Sequence, residues 1–231
     1  MIPKTIHYCW FGNKPKDAVT NQCIETWRRK LPDYEIKEWN ESNFSIHSSR
    51  YVEKMYELKK WAFVSDYVRL EVLEKFGGIY LDTDMFILQP FDQLLKYKLF
   101  IGKEDENFVS AGIIGCIAHH PFILKTKNIY DNNQQNNRTI PAILTDIYNS
   151  QEWPDIKMFN PEIFYPFTAL TIKNFDGCNA PTSSISVHMW NYSWGSPISR
   201  KLHRQPFYRI LVKILSFLRI KDIIKRIIRK S

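Results

Sequence analysis

The chain contains 231 residues, of which 44% are hydrophobic and 15% aromatic, and this is enough to build one sizeable core. Its 8 glycines and 12 prolines exclude a fibrous or low-complexity chain, and no apolar run reaches the ~20 residues that a transmembrane helix requires. The formal net charge is +8, and the four cysteines lie too far apart for a C-x-x-C zinc site or a disulfide framework, so we expect them to be reduced.

Strand and helix patterns alternate from the start of the chain. An aromatic-rich strand over 6–11 ends at Gly12, and a helix is predicted over 18–31, where apolar residues recur at three- and four-residue steps up to Pro32. The next residues, 34–39, alternate as in a half-buried strand. Strand, helix and strand within about forty residues predict a βαβ unit, and hence an α/β fold whose ligand site lies beyond the carboxyl ends of parallel strands.

A long helical pattern comes next. Residues 51–76 predict one or two helices, which end at Gly77 and Gly78 because glycine readily takes the left-handed conformation that closes a helix. The apolar residues 79–81 then predict a buried strand. Further short strands are predicted at 86–88, 99–102 and 113–117.

Two carboxylates appear where the strand over 79–81 ends. Asp82 and Asp84 are separated by one residue, and such a pair can hold a hard cation through oxygen ligands, for which Mg²⁺ or Mn²⁺ is suited. A cation held there would neutralise the charge that develops on a leaving diphosphate. The same spacing also occurs in ordinary turns. The phosphatase pattern D-x-D-x-[TV] is disfavoured, because Phe86 stands where that pattern requires Thr or Val.

Three segments in order carry a resemblance to a known family. They are IPKTIHYCWFG over 2–12, SDYVR over 65–69 and GGIYLDTD over 77–84. Together they resemble the family 32 glycosyltransferases with a DXD sugar-binding region, a group that includes yeast-type mannosyltransferases and bacterial capsular polysaccharide transferases. The resemblance implies a GT-A fold with a mixed, mainly parallel central sheet. It also implies a nucleotide-sugar donor, a divalent metal, Mn²⁺ or Mg²⁺, and transfer with retention of configuration.

The resemblance assigns catalytic and donor-binding roles to four residues. Asp84 would ligate the metal, and Asp82 would reach both the metal and the ribose of the donor. Asp66 and Arg69 are three residues apart, so on a helix they share one face. Asp66 would bind sugar hydroxyls, and Arg69 would support it or touch the diphosphate. In isolation the same pair would also suit a solvent-exposed salt bridge.

Two further donor-binding candidates lie in the first strand. Trp10 stands where related enzymes stack or enclose the nucleotide base, and stacking of a base on an aromatic ring contributes ~1 to 3 kcal/mol. The alternative is a core tryptophan beside a glycine turn. His7 lies on the opposite face of the strand from Trp10, where a buried, hydrogen-bonded histidine is the competing interpretation.

A late segment, 188–195, concentrates one histidine, three aromatic residues and a hydroxyl. In related enzymes a late segment folds over the donor, so the resemblance makes His188 a candidate third metal ligand. Ser193 and Trp194 would contact the diphosphate or the acceptor side, as part of a lid that excludes water. An ordinary aromatic core cluster is the alternative. No side chain is identified as a catalytic base.

The positive charge is concentrated at the end of the chain. Residues 201–231 hold ten lysines and arginines and one aspartate, a charge of +9, which leaves 22 basic and 23 acidic residues, a charge of −1, elsewhere. Apolar residues recur there at helical spacing, which predicts a basic amphipathic tail after a catalytic domain over 1–200. We expect this tail to bind an anionic membrane surface. Packing of the tail on the body is the alternative, and a nucleic-acid partner is not expected.

The sequence therefore predicts a metal-dependent, retaining glycosyltransferase. It would use a UDP-sugar, or else a GDP-sugar, and a surface polysaccharide or lipid-linked glycan as acceptor. Because the first residues lack the features of a secretory signal, we expect a cytoplasmic enzyme on the inner face of the membrane. The alternative is a non-catalytic membrane-docking or nucleic-acid-binding protein whose acidic pair is a structural turn.

Overall fold

The computed structural model describes residues 1–133, 136 and 138–193, so the predicted tail over 201–231 lies outside the described part. The strands are β1 (Thr5–Cys9), β2 (Glu35–Trp39), β3 (Gly78–Leu81), β4 (Met85–Ile87), β5 (Leu99–Lys103), β6 (Val109–Cys116), β7 (Ile156–Phe159) and β8 (Ser186–His188). The helices are α1 (Ala18–Lys30), α2 (Arg50–Glu57), α3 (Trp61–Phe76), α4 (Pro121–Asp131), α5 (Ile140–Asn149) and α6 (Pro161–Phe164). Among the described helices, none combines the length and the apolar character needed to cross a bilayer.

Six strands form a mixed central sheet in the order β2-β1-β3-β6-β5-β7. The pairs β1–β2, β1–β3 and β5–β7 are parallel, whereas β3–β6 and β5–β6 are antiparallel. The strands β4 and β8 form a separate antiparallel pair. The predicted mixed, mainly parallel α/β sheet is therefore confirmed.

Helix α1 anchors the short strand β4 to the body. The carboxylate of Asp17 caps the helix by accepting from the backbone N–H of Thr20 at 3.0 Å. Further along the helix, the Trp27 indole donates to the carbonyl of Met85 at 2.6 Å, and the Thr26 hydroxyl accepts from the N–H of Ile87 at 2.9 Å. Because these side-chain contacts pair the backbone of β4, this strand is held although it lies outside the central sheet.

The predicted helical stretch over 51–76 forms two helices, with a break at Lys59, whose φ of 55° is left-handed. Helix α3 ends at two glycines with φ of 64° and 93°. A Cβ on Gly78 would approach the carbonyl oxygen of Thr5 to 2.7 Å. The glycine pair thus ends α3 and lets β3 lie directly beside β1.

Strand β6 begins at Val109, four residues before the predicted start at 113, and all eight of its residues are buried. The sequence does not show this because Ser110 and Gly112 interrupt the apolar pattern. In the structure β6 lies between β3 and β5, so both of its edges are paired. Its first residues reach the carboxyl edge of β3, where the N–H of Asp82 donates to the carbonyl of Gly112 at 2.8 Å.

His7 stabilises the contact between β1, β2 and the end of α3. Its Nδ1 accepts from the Trp39 indole at 3.1 Å, and its Nε2 donates to the carbonyl of Gly77 at 3.0 Å. These partners require the neutral ring. Burial is the main cause that lowers the pKa of His7 to about 4, against the opposing effect of the Gly77 hydrogen bond, and the charge of Lys37 lowers it further.

A pH dependence of stability follows from this buried neutral ring. Since the unfolded histidine, with a pKa near 6.5, binds a proton that the folded one rejects, stability falls as the pH drops from about 6.5 towards 4. Between pH 7.5 and pH 5.5 we expect the wild type to lose about 1 kcal/mol more unfolding free energy than a His7→Gln variant. Urea denaturation at both pH values measures this difference, and equal losses in the two proteins would contradict it.

Candidate active site

A cavity of about 490 Å³ opens at the carboxyl edge of β3. Its walls come from α3, from the loop between β3 and β4, from β6 and from the segment after β8. The lining residues include Asp66, Arg69, Tyr80, Asp82, Thr83, Asp84, Glu104, Ser110, Gly112, His188, Trp190, Tyr192 and Ser193. The cavity therefore lies where the βαβ pattern predicts a ligand site.

The guanidinium of Arg69 is buried at the base of this cavity, with 5% of the residue exposed. Its Nη2 donates to Oδ1 of Asp66 at 3.0 Å, and its Nη1 lies 3.1 Å from Oδ1 of Asp82. The same Nη1 donates to the carbonyl of Ala111 at 2.8 Å, and the guanidinium lies 4.4 Å from the centre of the Tyr80 ring. One cation thus joins α3, β3 and β6 through contacts that are buried at Asp66 and Ala111 and partly exposed at Asp82, whose side chain is 29% exposed.

Burial and the positive charge of Arg69 together set the pKa values of the groups in this cluster. Burial raises the pKa of Asp66 to about 7, although Arg69 acts in the opposite direction and Asp82 adds to the rise. Burial likewise raises the pKa of Asp82 against the attraction of Arg69. For Arg69, burial lowers the pKa, but the attraction of Asp82, Tyr80 and Asp66 outweighs it and raises the pKa overall. Arg69 therefore remains charged.

Asp84 is held by the late segment of the chain. Its Oδ1 lies 3.2 Å from Nε2 of His188, and its Oδ2 accepts from the N–H of Asn191 at 2.8 Å. Burial raises the pKa of Asp84, but His188 and these hydrogen bonds outweigh burial and hold the pKa below its usual value. Burial lowers the pKa of His188, and the attraction of Asp84 outweighs it and raises the pKa.

The pairing of β4 with β8 brings His188 to this position. Met85 is the register partner of His188, and the N–H of Met189 donates to the carbonyl of Asp84 at 2.9 Å. Asp84 and His188 are 104 residues apart in sequence. Their proximity is therefore set by strand register and not by local spacing.

The residues present fit a divalent cation. Asp82, Asp84 and His188 each offer a ligand atom, and these atoms lie within 4.8 Å of one another. Two carboxylates and one imidazole form an oxygen-rich mixed donor set, which is compatible with Mn²⁺ or Mg²⁺. In addition, Nδ1 of His188 is buried without a hydrogen-bond partner among the described residues. The structure thus brings the three predicted metal ligands to one point.

The other predicted site residues separate into two groups. Asp66, Arg69 and Ser193 line the cavity, whereas Trp194 lies outside the described residues. His7 and Trp10, which the sequence predicts as donor-binding, do not line it. The Trp10 indole donates to the carbonyl of Lys14 at 2.6 Å, and its ring is buried in the core. Both side chains thus pack around β1 in this structure, and their role in donor binding stays a prediction.

The sequence assigns no individual role to several residues that line or support the cavity, among them Trp190, Tyr192, Asn191 and Asp17. Trp190 and Tyr192 line the cavity, and both have left-handed φ values, 52° and 49°. Asn191 between them contacts Asp84, and its amide contacts Asp17. The aromatic density of 188–195 signals the importance of this segment, but nothing in the sequence links it to Asp17.

Comparison with known proteins confirms the resemblance drawn from the motifs. The family model described as "glycosyltransferase sugar-binding region containing DXD motif" matches residues 17–101. This range includes α3 with Asp66 and Arg69, and it includes the Asp82–Asp84 pair. The matched residues therefore include two of the elements at the base of the cavity, α3 and β3, and not β6.

Two curated relatives each match a little more than half of the chain. Inositol phosphoceramide mannosyltransferase 3 of Schizosaccharomyces pombe is 30% identical over 135 residues, which are 54% of this chain and 36% of that protein. Alpha-1,4-N-acetylglucosaminyltransferase of Homo sapiens is 25% identical over 154 residues, 58% of this chain and 44% of that protein. The chain thus matches less than half the length of each of these relatives.

A solved structure supports the fold. A glycosyltransferase involved in the glycosylation of the major capsid of PBCV-1 aligns with a TM-score of 0.51 and 12% sequence identity. The alignment covers 86% of this chain and 98% of that chain. The GT-A type of fold that the motifs imply is confirmed.

The buried charge cluster predicts a large stability effect at Arg69. Replacement by Met leaves the buried Asp66 and the partly buried Asp82 without their counter-charge, and the loss of one partner of a buried ion pair typically costs about 3 to 5 kcal/mol. We expect a loss of at least about 3 kcal/mol of unfolding free energy, measured by urea denaturation at pH 7.5.

The matched control is Arg28→Met, because Arg28 is 65% exposed in its side chain and pairs with Glu25 at 3.4 Å. This exposed pair should change stability by less than about 1 kcal/mol. Similar losses of unfolding free energy in the two variants would show that the Arg69 contacts do not stabilise the fold by the predicted amount.

Proposed function

We propose that this chain, whose residues 17–101 match a glycosyltransferase sugar-binding region, transfers a sugar from a nucleotide-sugar donor with the help of a divalent cation. The observation that carries the proposal is the cluster of Asp82, Asp84 and His188 at the wall of a 490 Å³ cavity. Asp82, Asp84 and His188 would hold the metal, whose chemistry would be to stabilise the negative charge of the departing diphosphate. The identity of the ion, Mn²⁺ or Mg²⁺, is part of the proposal.

The charge balance of the cavity supports a requirement for a cation. Among the described lining residues, the carboxylates of Asp66, Asp82, Asp84 and Glu104 face only Arg69 and His188 as groups of opposite charge. A diphosphate would meet this excess of negative charge and would be repelled. A divalent cation held by these carboxylates would offset this excess and would supply positive charge beside the phosphates.

The side chains of this chain have separate roles in the proposed reaction. The Asp66 carboxylate accepts hydrogen bonds from hydroxyls of the donor sugar, because it lines the cavity and is fixed by Arg69. The Nη atoms of Arg69 are directed at Asp66, Asp82 and Ala111. Arg69 therefore positions the two carboxylates, which favours support over direct contact with the diphosphate.

The segment after β8 forms an aromatic wall of the cavity. The ring of His188 packs against the ring of Trp190 with 4.2 Å between their centres, and the Trp190 indole donates to the carbonyl of Phe167 at 3.0 Å. Tyr192 and Ser193 continue this wall. An aromatic wall excludes water from a donor that would otherwise be hydrolysed.

The donor and the acceptor are proposed at the level of chemical class. A UDP-sugar is favoured and a GDP-sugar is the second choice. The names of the two relatives, a mannosyltransferase and an N-acetylglucosaminyltransferase, leave the sugar itself open. For the acceptor we propose a surface polysaccharide or a lipid-linked glycan, with transfer that retains the anomeric configuration.

We further propose that residues 201–231 hold the enzyme on the inner face of a membrane. Their charge of +9 supports this, since each basic residue near an anionic surface contributes about 1 kcal/mol. A lipid-linked acceptor would be presented at the same surface.

The metal-dependent reaction predicts a loss of activity at Asp84. With a panel of UDP- and GDP-sugars and Mn²⁺, Asp84→Asn should reduce release of free nucleotide by about 100-fold or more, because a metal ligand and the partner of His188 are lost together. The matched control is Asp33→Asn, an exposed aspartate before β2 at the opposite edge of the sheet. Nucleotide release that survives in Asp84→Asn, or none from the wild type with any donor, would contradict the proposal.

If residues 201–231 anchor the enzyme, their removal should affect membrane binding and not the release of nucleotide. Deletion of residues 201–231 should abolish co-sedimentation with vesicles that contain anionic lipid and leave nucleotide release largely intact, because the cavity lies in the body. Vesicles of neutral lipid are the control. Undiminished sedimentation of the truncated chain would refute anchoring by the tail.

A further inference from the structure

We propose that Asp17 and Asn191 form a positioning pair that fixes the Asp84 carboxylate for the divalent cation, an inference that rests on the function proposed above. Neither residue is among the site residues predicted from the sequence. The pair joins the first turn of α1 to the segment after β8, which are 174 residues apart in sequence. Neither side chain belongs to the predicted metal ligands.

The contact between the two side chains is direct. The amide nitrogen of Asn191 lies 3.0 Å from Oδ1 and 2.9 Å from Oδ2 of Asp17. A carboxylate has only acceptors and the amide nitrogen has two hydrogens, so the amide donates to both oxygens. Asn191 is buried. Asp17 is half-buried, so the contact is partly shielded from water, and a hydrogen bond to a charged carboxylate is stronger than one between neutral groups.

The main chain of Asn191 contacts the proposed metal site directly. Its N–H donates to Oδ2 of Asp84 at 2.8 Å, while Oδ1 of Asp84 faces Nε2 of His188 at 3.2 Å. The hydrogen bond on Oδ2 sets the plane of the carboxylate. As a result, Oδ1 is the oxygen presented beside His188, the third residue of the proposed ligand set.

Helix α1 supplies the fixed frame for this arrangement. Asp17 is the N-cap of the helix, so its carboxylate is already oriented by the N–H of Thr20. The same helix holds the chain just beyond Asp84, through the Trp27 indole on the carbonyl of Met85. Helix α1 and its N-cap thus hold both neighbours of Asp84, since Asp17 contacts Asn191 and Trp27 contacts Met85.

The backbone around Asn191 explains why a side-chain anchor is required. Its two neighbours, Trp190 and Tyr192, have φ values of 52° and 49°, a left-handed conformation that is unfavourable for bulky residues. A segment with this backbone persists only where other contacts determine it. The Asn191 amide on Asp17 is one such contact, and its loss would let the N–H turn away from Asp84.

The test compares Mn²⁺ affinity in three variants, measured from the free Mn²⁺ signal in electron paramagnetic resonance without any donor. Asn191→Ala removes the amide and keeps the main-chain N–H, and it should weaken Mn²⁺ binding by about 10-fold or more. The double variant Asp17→Asn/Asn191→Asp exchanges amide and carboxylate and preserves an N-cap. It should bind Mn²⁺ within about three-fold of the wild type.

The control is Asn128→Ala, an exposed asparagine on α4, which should bind Mn²⁺ like the wild type. Thermal unfolding without metal shows that each variant is folded at the temperature of the titration, and Asn191→Ser replaces Asn191→Ala if the latter does not fold. Wild-type affinity in Asn191→Ala, or equally weak binding in the exchanged pair, would overturn the inference. Failure of the wild type to bind Mn²⁺ would instead overturn the proposed metal site.

Discussion

The buried guanidinium of Arg69 is the interaction on which the candidate site depends. It joins Asp66 on α3, Asp82 at the end of β3 and the carbonyl of Ala111 on β6. A buried cation and its carboxylates are favourable only together, because each charge alone would have to be transferred from water into the protein. The three elements are therefore fixed relative to one another at the point where the cavity begins.

A second constraint closes the cavity from the other side. Strand β8 pairs with β4, and β4 is in turn held by Trp27 and Thr26 of α1. Through this route the late segment reaches Asp84, with His188 on one carboxylate oxygen and Asn191 on the other. The two aspartates of the acidic pair thus have different environments, since Asp82 faces a permanent cation and Asp84 faces an imidazole and a main-chain donor.

The different environments shift the pKa values of Asp82 and Asp84 in opposite directions. Burial dominates at Asp82 and raises its pKa, whereas His188 and hydrogen bonds dominate at Asp84 and lower its pKa. A cavity with more carboxylates than cationic groups suits a metal ion and disfavours a free diphosphate. The sugar-binding region in the family model covers the Arg69 side of this arrangement, while His188 and Asn191 come from beyond the matched residues 17–101.

The sequence alone determined the features that local spacing controls: the βαβ start, the glycine end of α3, the shared helical face of Asp66 and Arg69, and the acidic pair after a buried strand. Tertiary structure decided what depends on contacts between distant segments. The register of β4 with β8 brought His188 to Asp84, and the parallel pairing of β1 with β2 placed Trp39 beside His7, which keeps that ring in the core. The Asp17–Asn191 contact spans 174 residues. Periodicity defines the face on which a side chain lies, but only the packed chain defines the residue that it meets there.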